Sequence, residues 1–244
     1  MKRVIVIIQA RMGSERLPGK VLEKIGGTSL LEIIINRVKR SKYINEVIVA
    51  TTLNAEDDAI IELCNKIGSE VFRGSENDVF SRYLQASEIF NGDIIVRVTG
   101  DNPLTDPDLM DQMIHDHLMS GNDYTYSQNA PLGFGCEVIS RKALEIINAE
   151  YLTNSEKEHV TLFIKNHPTD FKIRNFRYAL EYPLNYRFTV DTPQDISFIK
   201  EIYDGLKDLI YLKNKDLFLF LEDNPEIIKI NSNVEQQDLI NNQI

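Results

Sequence analysis

The sequence predicts an α/β fold, a three-layer, doubly wound and mostly parallel sheet of Rossmann-like architecture. Val4-Ile5-Val6-Ile7-Ile8 is a run of five branched apolar residues, the composition of a strand buried on both faces. Strand-like and helix-like stretches then alternate through about residue 120 at the spacing of βα units, which right-handed crossovers assemble into a parallel sheet. Two predicted strands run into an aspartate, Asp101 and Asp191, at the carboxyl edge where such sheets bind ligands.

The first strand delivers the basic loop Gln9-Ala10-Arg11-Met12-Gly13-Ser14-Glu15-Arg16-Leu17-Pro18-Gly19-Lys20. Ser29-Leu30-Leu31-Glu32 reads as a capping box opening a helix to about Arg40, and residues 46–51 as the second strand. Asn54 is placed to cap a helix over 55–67, followed by a short strand at 70–72 and a helix over 79–90. Residues 93–98 form the fourth strand, and Asp106-Pro107 starts a helix to about Ser120. Beyond it the pattern predicts a strand at 124–127, a glycine-rich loop passing into a strand across 133–140, helices over 142–150 and 155–166, and a strand at 171–178 before a turn at Pro183. A returning strand at 186–190 ends at Asp191, and helices follow Thr192-Pro193 to about Glu222. Residues 1–228 thus read as a single catalytic domain whose portion at about 121–185 carries the acceptor pocket and a dimer contact, with a loosely held polar tail over 229–244.

The first loop has the chemistry of a polyphosphate cradle. Gly13 and Gly19 let backbone N–H groups approach an anion, and Arg11, Arg16 and a flexible Lys20 bring positive charge. The glycines are six apart and Val21 follows the lysine, which excludes a Walker A loop, and no G-x-G precedes a third glycine, which excludes the dinucleotide fingerprint. With 37 acidic and 27 basic residues the net charge is −10, against a nucleic-acid or anionic-membrane binder. The cations act locally. Cys64 and Cys136 make neither a CxxC pair nor a disulfide framework, and four histidines show no zinc constellation. Without a leading or spanning apolar segment, the expectation is a cytoplasmic protein.

The motif Gln-Ala-Arg-Met-Gly-Ser-x-Arg-Leu-Pro-Gly-Lys resembles the N-terminal signature of the cytidylyltransferases that make CMP-activated sugar acids, nearest the spore-coat polysaccharide biosynthesis protein F subgroup. Arg73-Gly74-Ser75, Thr99-Gly100-Asp101-Asn102-Pro103-Leu104, Glu158-His159-Val160-Thr161 and Thr189-Val190-Asp191-Thr192-Pro193 resemble the same family in order, across nearly the whole chain. The resemblance implies a nucleotide-diphospho-sugar transferase-like fold, a homodimer, and Mg²⁺-dependent transfer of CMP from CTP to a small acidic sugar of ulosonic-acid type. It also implies that Ala10, Arg11, Gly13, Ser14, Arg16 and Lys20 bind the nucleotide together with Arg73, Gly74, Ser75 and Asp101. Arg11, Lys20, Asp101 and Asp191 are then the catalytic set.

Chemistry and resemblance agree on Asp101 and Asp191 as Mg²⁺ ligands, since hard carboxylate oxygens and phosphates suit that ion; each also fits the plainer role of a turn or helix cap. Arg73 reads either as a contact to cytosine O2 and N3 or as a solvated arginine in an ordinary turn, and Asp78 with Arg82 as an exposed ion pair. Glu137 and His159 are the acceptor-binding candidates, with a structural histidine equally compatible at His159. Gly135 stands where relatives carry aspartate, which leaves acceptor identity open. Cys136 lacks an activating base. The competing functions are a nucleotidyltransferase with another acceptor, a nucleotide-sugar-dependent glycosyltransferase, for which Asp101-Asn102-Pro103 lacks the second acid of Asp-x-Asp, and a nucleotide sensor.

Overall fold

Strand β1 (Val4–Gln9) occupies the middle of the sheet because both of its faces are apolar: Val4, Val6 and Ile8 enter one core while Ile5 and Ile7 enter another. The structure, a computed structural model, describes residues 2–178 and 183–235. After β1 the chain makes a 3-10 turn at Lys20–Leu22 and a two-rung antiparallel ladder of β2 (Lys24–Ile25) with β3 (Thr28–Ser29). Helix α1 (Leu30–Val38) follows, its Ser29 hydroxyl accepting from Glu32 N at 3.3 Å, a cap worth about 0.5–2 kcal/mol.

The next units are β4 (Glu46–Thr52), α2 (Asp58–Ile67), β5 (Glu70–Gly74), α3 (Val79–Ile89), β6 (Ile94–Thr99) and α4 (Pro107–Ser120). Then come β7 (Tyr124–Tyr126), β8 (Glu137–Ser140), α5 (Arg141–Glu145), α6 (Asn154–Glu158), α7 (Leu162–Asn166), β9 (Ile173–Asn175), α8 (Pro193–Leu206), α9 (Asn214–Asp223) and α10 (Pro225–Ile228). The sheet order is β5-β4-β1-β6-β8-β7-β9, with only β8 antiparallel to its neighbours. Helices α1, α4 and α8 pack into the core on one face, and α3, α5 and α7 into the core on the other. These are the three layers and the mostly parallel sheet that the sequence predicts.

Parallel pairing sets Gln9 beside Ala50 on one side and Thr99 on the other, so the ends of β1, β4 and β6 share one edge. The order reverses about β1, since β4 and β5 lie to one side and β6 to the other, and the first loop leaves the sheet at this switch point.

Several expectations after residue 120 need correction. The strand predicted at 186–190 is an extended segment with one bridge, Arg187 to Leu132; Phe188 N donates to Leu132 O and Val190 N to Asp101 O, both at 2.8 Å. Residues 142–150 and 155–166 are not continuous helices: α5 stops at Glu145, and α6 and α7 are separated by a turn at His159. The strand predicted at 171–178 is only β9. Asn231 belongs to no loose tail; it is buried, and its amide donates to Arg187 O and to Asp195 Oδ1. Residues 179–182 of the 121–185 portion and residues 236–244 of the tail lie outside the described residues.

Candidate functional site

The loop after β1 folds back on itself through Met12, whose carbonyl accepts from Ser14 N and Gly19 N at 2.9 Å each. Gly19 has φ +73°, a left-handed conformation that glycine adopts without the Cβ penalty, and so turns the chain into the Lys20 turn. Asp57 holds the loop from beneath: its buried carboxylate accepts from Met12 N at 2.7 Å and from Thr52 N at 3.1 Å, and also binds the Thr52 hydroxyl. Burial would raise this carboxyl, but the hydrogen bonds from Thr52 and Met12 hold it below its ordinary value. The N–H groups of Ser14 and Gly19, expected to cradle phosphate, are therefore committed within the protein, as is that of Met12.

Lys20 is no flexible loop cation. It is buried, and its ammonium donates to Asp101 Oδ2 at 3.0 Å, Asp191 Oδ1 at 2.8 Å and the Val190 carbonyl at 2.8 Å. Asp101 reaches it because Gly100 has no side chain; a Cβ there would lie 2.9 Å from Gln9 O and 3.0 Å from Ala10 Cβ. The Thr99 hydroxyl orients the other Asp101 oxygen at 2.6 Å.

Asp191 is held by Arg16 at 3.0 Å and Arg187 at 2.6 Å in addition to Lys20. Burial alone would raise its carboxyl; Lys20, followed by Arg16 and Arg187, outweighs that and leaves it below the ordinary 3.8. It is not the cap of α8, which Thr192 supplies in a capping box with Asp195. Asp195 is fully buried and ties together Arg187, Asn231 and the N–H groups of Asp191 and Thr192.

Asp101 and Asp191 each present an oxygen to one ammonium, a placement that suits two carboxylates sharing one hard divalent cation. Among the described residues no third His, Cys, Asp or Glu completes such a group, so phosphate and water oxygens would fill the remaining shell.

Arg11 stands apart from this cluster, 3.3 Å from Glu76 and 4.0 Å from Glu158. Glu76 also accepts from Asn54, whose side chain makes no helix cap. Gly74 is buried and Ser75 exposed at the end of β5. Arg73 turns away from the loop: it donates to Thr52 O at 2.8 Å and Asn54 O at 2.9 Å and pairs with Asp58 at 2.8 Å, bracing the β4–α2 connection rather than offering itself to a base. The expected surface pair is also absent, since Asp78 caps α3 through Ser81 N and Arg82 is buried.

Glu137 lies elsewhere on β8, where its carboxylate meets Arg97 at 2.6 Å, Lys165 at 2.8 Å, Thr161 at 3.1 Å and the Tyr124 hydroxyl. Burial opposes this charge, but Arg97 and Lys165 pull its pKa down to about 2. With its oxygens so engaged, Glu137 organises the surrounding cations instead of standing open to an acceptor hydroxyl. His159 is half-buried in the turn after α6, and burial lowers its pKa. The Cys136 thiol is buried and pushed up, the reverse of what a nucleophile needs.

The structure thus gathers Arg16, Lys20, Asp101 and Asp191, sets Arg11 with Glu76 and Glu158 nearby, and leaves Arg73 and Glu137 in separate networks. Sequence reasoning assigned no role to Asp57, Glu76, Arg187 or Asp195; of these only Asp195 carried a local signal, the Thr-x-x-Asp spacing from Thr192.

An α/β sheet with a cation-rich loop at its switch point and two acids converging beside it defines a nucleotidyltransferase. The profile of the cytidylyltransferase family matches residues 5–223, and the chain belongs to that family. It is 43% identical over 240 residues to an uncharacterized protein of Methanocaldococcus jannaschii, covering 96% of this chain and 97% of the relative. It is 39% identical over 236 residues to the spore coat polysaccharide biosynthesis protein SpsF of Bacillus subtilis, covering 93% and 97%. The structure of a cytidylyltransferase from Leptospira borgpetersenii superposes with a TM-score of 0.88 at 32% identity, covering 98% of this chain and all of that one.

Proposed function

We propose that this chain transfers CMP from CTP to a small sugar acid of ulosonic-acid type, with release of pyrophosphate, in a Mg²⁺-dependent reaction that feeds surface polysaccharide synthesis. The observation that carries it is the convergence of Asp101 and Asp191 on Lys20, with Arg16 alongside, at the edge of β1 and β6. Asp101 and Asp191 would hold Mg²⁺, which would neutralise phosphate charge and act as a Lewis acid. Arg11, Arg16 and Lys20 bind the triphosphate and oppose the charge that develops on the departing pyrophosphate, while an acceptor oxygen attacks the α-phosphorus in line.

The name of the Bacillus relative supports the polysaccharide setting. The motif resemblance supports the acid acceptor and the homodimer. Among the described residues no helix is long and apolar enough to cross a membrane.

The test is pyrophosphate release measured with each of the four nucleoside triphosphates against a panel of ulosonic acids, other sugar acids and non-sugar acceptors. Release requiring CTP, Mg²⁺ and a sugar acid is expected. Release dependent on a non-sugar acceptor would overturn the acceptor class, and preference for another triphosphate would overturn the CTP assignment.

A further inference from the structure

Arg82 lies on α3 with only 3% of its surface exposed, and its Nε and Nη1 are wholly shielded without a hydrogen-bond partner. A guanidinium removed from water and given no acceptor is expensive, so folded proteins normally pair it. Its stem lies against Gly74: a Cβ built there would sit 2.6 Å from Arg82 Cγ and 3.4 Å from Cδ. Helix α3 packs against β5 and α6, and Glu158 of α6 lies 4.0 Å from Arg11 of the first loop; burial pulls the Arg82 guanidinium pKa down.

Arg73 and Arg82 differ in how their donors are used. Arg73 engages Nε, Nη1 and Nη2 on Thr52, Asp58 and Asn54, whereas Arg82 has shielded donors with nothing to meet. The triphosphate already has Lys20, Arg16 and Arg11. A cation this deeply buried, packed on Gly74, suits the uncharged part of the nucleotide, whose carbonyl oxygen can accept from it without carrying a second charge into the interior.

We propose that Arg82 is a specificity-determining contact to the pyrimidine ring of the bound nucleotide, donating to its O2 carbonyl, and that Gly74 is glycine to make room for the Arg82 stem. This rests on the cytidylyl reading of the site.

The test titrates the full chain with CMP and with pyrophosphate by calorimetry, comparing Arg82→Met, Arg82→Lys and Gly74→Ala, and records the melting temperature of each unligated protein. All three variants should lose at least tenfold in CMP affinity, while pyrophosphate affinity stays within twofold. Arg82→Met should melt no lower than the unaltered protein, because an apolar side chain of similar length replaces an unpartnered buried charge. Unchanged CMP affinity in a folded Arg82 variant would overturn the proposal. So would equal losses for CMP and pyrophosphate, or failure of both Arg82 variants to fold, since each marks a phosphate or structural role. If instead the unaltered protein binds pyrophosphate but not CMP, the cytidylyl reading itself fails.

Discussion

The ammonium of Lys20 lies 2.8 Å from the carboxylate of Asp191, although 171 residues separate them in sequence. The same ammonium reaches Asp101, so one positive charge stands where two acids converge. Removal of Lys20 therefore bears on both turnover and folding.

For Lys20→Met we expect kcat to fall about 10²–10³-fold, the range of about 2.7–4 kcal/mol seen when one preorganised electrostatic group is removed. Stability in metal-free buffer should fall by about 1–3 kcal/mol, because Asp101 and Asp191 lose a shared hydrogen-bonded partner while Asp191 keeps Arg16 and Arg187. Added Mg²⁺ should restore more of the melting temperature in the variant than it adds to the unaltered protein. Normal turnover in the variant would remove Lys20 from the site.

Asp101→Asn and Asp191→Asn should each abolish Mg²⁺-dependent turnover, and the double variant should be no worse than either, as for ligands of one ion. Asp191→Asn should also alter acid stability. The Asp191 carboxyl is depressed below the ordinary 3.8, so its stabilising contribution is present above that pH and lost as pH falls through the lower folded-state value. A loss of stability between pH 5 and pH 2 in Asp191→Asn that matches the loss in the unaltered protein would contradict this.

Acid unfolding should proceed in two windows. His117 is buried between Thr125 and Ser140 hydroxyls, and burial pulls its pKa from 6.5 to about 4; the unfolded chain binds the extra proton, so stability declines as pH falls between those values. Glu137, lowered from 4.5 to about 2, holds a contribution of about 3 kcal/mol that is complete above 4.5 and lost below it. His117→Gln should flatten the first window and leave the second. A variant that retains the full decline between pH 6.5 and 4 would show that His117 is not its source.

CTP should exceed UTP by at least tenfold in kcat/KM. Cytosine offers an N3 acceptor and a 4-amino donor where uracil offers an N3–H donor and an O4 acceptor, and each mismatched buried group costs about 1–3 kcal/mol, with about 1.4 kcal/mol equal to tenfold. Equal use of the two would show that the base edge is not read.

The sheet centre was legible because its signals are local. The apolar run of β1 buries on both faces, and Ser29 and Thr192 cap the helices that their sequences announce. The segment at 186–190 resembled a strand equally well, but whether an extended segment finds a ladder depends on distant Leu132 and Asp101, not on its own composition. Lys20, Asp101 and Asp191 could be chosen as residue types without any sign that they touch. The partners of Arg73 and the burial of Arg82 were illegible for the same reason: sequence supplies the charge, while the surroundings of a guanidinium are fixed only when β4, β5 and α3 come together.

Asn231 closes the network behind the site by bonding to Asp195, which in turn holds Arg187 beside Asp191. Asn231 stands far beyond Lys20 in the sequence, so the site is braced from behind by a residue remote from the loop that opens it. Without Asn231, Asp195 and the Arg187 carbonyl each lose a donor, and the brace behind Asp191 is left with one fewer anchor.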